Sequence, residues 1–99
     1  MNYTIKRIKD TVAPIAEAHG VNRVYLFGSH ARKTANTESD IDIKIEKGRI
    51  KSLLELNSFR LDLEDALGVN IDLLTSTMSN KALLNRIERD EVLIYEKQG

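Results

Sequence analysis

Apolar positions recur at three- and four-residue steps through Ile5, Ile8, Val12, Ile15 and Ala16, a spacing that places them on one side of a helix. The helix is expected to end near His19, with Gly20 as its left-handed cap. A bend or division is expected at Pro14, whose ring removes a backbone donor and crowds the preceding turn. The period then changes. Val24-Tyr25-Leu26-Phe27 reads as a strand, and from Ser39 or Asp40 onward Ile41, Ile43 and Ile45 alternate with Asp40, Asp42, Lys44 and Glu46, the two-residue period of a second strand. Lys47-Gly48-Arg49 closes that strand. Residues 50–67 then read as a long helix stopped by Gly68, residues 69–74 as a third strand, and Val92-Leu93-Ile94-Tyr95 as a last one. Between the final two strands, Ser79 is placed to cap a helix containing Ala82, Leu83, Leu84 and Ile87.

The helix at 50–67 carries two apolar stripes. At 100° per residue Ile50, Leu53, Leu54 and Leu61 fall on one side, and Leu56, Phe59, Leu63, Ala66 and Leu67 on the other. A surface helix of a monomer needs only one such stripe. The pattern therefore implies either a break near Asn57-Ser58 or a second burial surface supplied by another chain.

Strands alternating with helices over 99 residues indicate a single α/β (α+β) domain spanning 1–99, with helices packed on a small sheet. The pattern leaves strand order and direction open. Fifteen basic residues balance fifteen acidic ones, which argues against long nucleic acid as the main ligand. Cysteine is absent and only His19 and His30 offer imidazole, so oxygen ligands are the ones available to a metal. No segment reads as a signal peptide or membrane span, and a cytoplasmic location is expected.

The candidate chemistry lies between the first two strands. Gly28 permits a sharp turn close to a phosphate, and Ser29 adds a hydroxyl and the amides of a short helix through Ala31 and Arg32. Residues 35–38 read as a polar connector to Asp40-Ile41-Asp42. Asp40 and Asp42 share a strand face and repel one another, a conflict that a divalent cation removes. Alone, a Gly-Ser turn is usually a strand end before a capped helix, and a lone Asp-x-Asp is usually a solvated strand face; their joint occurrence at this interval carries the signal.

Gly28-Ser29, residues 30–39 and Asp40-Ile41-Asp42 together resemble the signature of the polymerase-β-like nucleotidyltransferase superfamily. Gly28-Ser29-His30-Ala31-Arg32 and Ser39-Asp40-Ile41-Asp42 look most like its minimal nucleotidyltransferases, the MNT-type partners of HEPN proteins. The resemblance implies a mixed sheet with helices packed on it. It also implies a triad in which Asp72, from Asn70-Ile71-Asp72-Leu73-Leu74, joins Asp40 and Asp42 as catalytic and metal-binding residues around two Mg²⁺ ions. Gly28, Ser29 and Arg32 would bind the triphosphate of ATP. Lys33 departs from the pattern, standing where the family often has glycine. The implied function is transfer of AMP to a hydroxyl, the acceptor being a tyrosine of a HEPN-family RNase toxin, so that the chain acts as an antitoxin. The alternatives are a noncatalytic subunit that masks a HEPN partner and, against the lack of an acceptor domain, an aminoglycoside-type transferase.

Overall fold

The computed structural model describes residues 4–28, 40–75, 82, 85 and 91–98. Helix α1 spans Ile5–His19. Its Thr4 hydroxyl accepts the Arg7 amide at 3.1 Å, and its end is turned by Gly20 at φ 74°. Helix α2 spans Leu53–Leu67 and begins with a reciprocal cap. The Ser52 hydroxyl accepts the Glu55 amide at 3.1 Å, while the Glu55 carboxylate accepts the Lys51 amide at 2.9 Å. Each capping residue offers the backbone a partner that the first helical turn lacks.

Strands β1 (Arg23–Phe27), β2 (Ile41–Glu46), β3 (Ile71–Thr75) and β4 (Val92–Glu96) form one sheet in the order β3-β2-β1-β4. β1 runs antiparallel to β2 and β4, and β2 runs parallel to β3, so the sheet is mixed. The parallel pair needs a crossover, and α2 supplies it. Val24, Leu26, Ile41, Ile43, Ile45, Ile71 and Ile94 are buried from the sheet. They meet Ile8, Val12 and Ala16 of α1 and Phe59, Leu63 and Leu67 of α2 in one core. At its outer edge β3 is blunted, because the Ile71 amide donates to the Glu64 carboxylate at 3.0 Å.

Three expectations change, and one of two open alternatives for the double stripe is excluded. Pro14 does not divide α1; it lies exposed, where water can serve the carbonyl its missing N–H leaves unpaired. α2 starts at Leu53, so Ile50, only 3% exposed, belongs to the core and not to the outer stripe. There is no break at Asn57-Ser58. β3 begins at Ile71, two residues later than the apolar run suggests, since Gly68 to Asn70 are spent in turning. The expected helix after Ser79 lies largely outside the described residues, within which Ala82 and Asn85 are helical and exposed. No helix among the described residues is long and apolar enough to cross a membrane.

Phe59 is fully buried at the centre of this packing. Phe59→Ala is expected to lower the free energy of unfolding by about 3–5 kcal/mol, measured by urea titration; a loss below about 1 kcal/mol would contradict the packing.

Candidate active site

The alternation that buries Ile41, Ile43 and Ile45 turns Asp42, Lys44 and Glu46 to the other side of the sheet. Register builds that side in rows. Phe27 lies opposite Asp42, and Asp42 opposite Asp72; in the next row Tyr25 lies opposite Lys44, and Lys44 opposite Leu74. Directly paired residues of neighbouring strands lie about 4.8 Å apart and share a face. The two carboxylates are thus brought side by side, although thirty positions separate them in the chain.

Asp72 is exposed and Asp42 is half-buried. Asp40 is exposed and immediately precedes β2, whose first amide, that of Ile41, donates to the Asn70 carbonyl at 3.0 Å. Among the described residues no three His, Cys, Asp or Glu side chains form a ready-made metal cage. The register therefore delivers a pair, with Asp40 at its edge. Such a donor set suits a hard divalent cation, which takes one or two protein carboxylates and completes its shell with water and substrate phosphate oxygens.

Gly28 follows β1 directly and has φ 73°, a left-handed conformation that L side chains rarely adopt. A Cβ placed there would collide with Asp42 Oδ2 and stand 3.0 Å from its Cγ. The turn is therefore pressed against the Asp42 carboxylate, and glycine is needed for both conformation and space. Ser29 and Arg32 lie outside the described residues.

Alternation alone does not reveal what surrounds Lys44. Its side chain is buried, with Nζ 2.6 Å from Glu91 Oε2 and 4.6 Å from the centre of the Tyr25 ring. Among the described residues, the ion pair with Lys44 is the contact that compensates the buried Glu91 Oε2. The only signal in the chain is one lysine set between Ile43 and Ile45. In the row beyond, Arg23 donates to Glu96 at 2.6 Å and to Glu46 at 3.0 Å, contacts that raise the guanidinium pKa further above its usual value. The Tyr25 hydroxyl donates to Glu46 at 3.3 Å. Burial, reinforced by the Glu46 charge, raises the phenol above its usual 10.0.

Two outcomes follow from this geometry. Gly28→Ala is expected to cost about 1–3 kcal/mol of stability through strain at a positive φ and to displace the Asp42 carboxylate; a variant melting with the wild type would refute the left-handed turn. Because the folded state holds the Tyr25 proton more tightly than the unfolded chain, this contribution is complete below about pH 10 and is lost as pH rises through the folded pKa. Alkaline unfolding should therefore show a smaller decline in stability above pH 10 for Tyr25→Phe than for the wild type, and identical slopes would overturn the assignment.

Residues 10–99 match the family model described as polymerase beta, nucleotidyltransferase. A Methanocaldococcus jannaschii protein, MJ0435, provisionally named a protein adenylyltransferase, is 42% identical over 88 residues, covering 89% of this chain and 95% of its own. Among solved structures, one provisionally named a minimal nucleotidyltransferase matches with a TM-score of 0.79 at 26% identity, over 92% of this chain and 96% of that one. The fold also matches, with a TM-score of 0.73 at 16% identity over 96% of this chain and 75% of the other, a structure described as a tri-AMPylated Shewanella oneidensis HEPN toxin in complex with MNT antitoxin. The mixed sheet, the glycine turn and the family match agree: the chain belongs to the polymerase beta nucleotidyltransferase family.

Proposed function

We propose that this chain transfers AMP from ATP to a protein hydroxyl, the acceptor being a tyrosine of a HEPN-family toxin that the transfer silences. The observation that carries the reading is the in-register pairing of Asp42 with Asp72 beside the Gly28 turn. The relative's name supports protein adenylylation, and the AMPylated HEPN toxin of the structural neighbour supports the partner class.

In the proposed reaction the acceptor oxygen attacks the α-phosphorus of ATP, the bond from that phosphorus to the bridging oxygen breaks, and pyrophosphate leaves. Asp72, the exposed member of the pair, is positioned at the solvent side to orient the hydroxyl and take its proton at a carboxylate oxygen. Gly28 brings backbone close to the phosphates, with Ser29 and Arg32 proposed to complete their binding. Asp42 and Asp72, with Asp40 at the edge, would hold Mg²⁺. When bound, the ion would neutralise the carboxylates and withdraw charge from the phosphoryl oxygens.

The test is intact-mass measurement after incubating the chain with ATP, Mg²⁺ and a HEPN-type protein encoded beside it. One or more AMP increments on that protein are expected. A stable complex with no increment would leave a masking subunit and sink the transfer. Asp72→Asn is expected to reduce transfer by about 10² or more. In EDTA the same change should leave stability equal or raised by up to about 1 kcal/mol, since it removes a like-charge cross-strand pair. A clear loss of stability in EDTA would assign Asp72 a structural role instead.

A further inference from the structure

The outer side of α2 is apolar and uncovered. Leu53 is 74% exposed, Leu54 81% and Leu61 55%, on a helix whose other side is buried through Phe59, Leu63 and Leu67. Leu54 and Leu61 are one heptad apart and so lie within about 20° of each other around the axis. Asn57 and Ser58 stand between them.

Charge at the two ends of this stripe identifies what covers it. Lys51 precedes the amino terminus of α2 and Asp65 lies in its last turn, each at the end of the helix dipole that disfavours its charge. Neither side chain has an ion-pair partner among the described residues, whereas nearby Asp62 is engaged by His19 at 2.7 Å. Lys51, just before α2, and Asp65, in its last turn, are roughly 20 Å apart, so they cannot meet within one chain. An antiparallel copy of the same helix brings them together. With Leu54 facing the other copy's Leu61, Asn57 and Ser58 flank the seam on either side at the two-fold axis, and Lys51 of each copy reaches the Asp65 end of the other. The polar pair at the centre would set the register, as a buried polar position does in coiled coils.

We propose that α2 is a self-association surface on which two copies of this chain pair antiparallel about a two-fold axis. The site is left open by this arrangement, because Asp42 and Asp72 lie on the sheet face away from the core that α2 covers. A single helix pair makes a small interface, so micromolar affinity is expected.

Sedimentation equilibrium of the full chain from about 1 μM to about 200 μM, spanning that affinity, tests the proposal. The wild type is expected to shift from monomer to dimer. Leu54→Glu should raise the dissociation constant about tenfold or more, with circular dichroism unchanged because Leu54 carries no core contact. Lys51→Glu and Asp65→Lys should each weaken the dimer, and the double variant K51E/D65K should return it to within a few-fold of wild type, a rescue that only pairing between copies can produce. A wild type that stays monomeric throughout overturns the proposal and assigns the leucines to a different protein. A double variant no better than its parents overturns it as well.

Discussion

Parallel, in-register pairing of β2 with β3 is the constraint on which the rest of the structure depends. Ile41 lies against Ile71, Ile43 against Leu73 and Ile45 against Thr75, and the isoleucines meet the helices in the core. Because side chains alternate, the same register sets Asp42 beside Asp72 on the other face. A slip of one residue would carry carboxylates into the core and isoleucines into water, so the core that stabilises the fold also selects the face for chemistry. Two adjacent carboxylates cost about 1 kcal/mol in a water-like environment and several times that at lower effective dielectric. Burial of the isoleucines, each contributing about 1.5–3 kcal/mol, readily outweighs it.

The sheet thereby divides its labour. One side is apolar and closed by α1 and α2; the other is polar and graded along the strands. Arg23, Glu46 and Glu96 satisfy one another at one end, and Lys44 is held between Glu91 and the Tyr25 ring in the middle. Asp42 meets Gly28 at the far end. Oppositely charged groups are thus joined along the first two rows, and in the third the register sets two carboxylates, Asp42 and Asp72, opposite one another.

α2 belongs to both sides of this economy of surfaces. Its inner stripe completes the core, and its outer leucines remain in contact with water. Among the described residues, the outer side of α2 and the exposed Asp72 beside Asp42 are surfaces open to other molecules.

Local pattern made much of this legible. The period of two in Ile41-Asp42-Ile43-Lys44-Ile45 determined which side chains share a face, and the three-and-four spacing of Ile5, Ile8, Val12, Ile15 and Ala16 determined α1, because both follow from backbone geometry within a few residues. Gly20 and Gly68 marked helix ends for the same reason. The double stripe read over 50–67 was legible too, except that Ile50 belongs to the core and the helix starts at Leu53; whether the helix broke was not legible, since a break costs or saves energy only through what packs against each side. Tertiary structure alone decided the strand order β3-β2-β1-β4, the burial of Ile50 and Lys44, the pairing of His19 with Asp62, and the adjacency of Asp42 and Asp72. Each of these joins segments distant in the chain, and no local period encodes which distant segments will share a hydrogen-bonded register; that is settled only when the whole core closes at once.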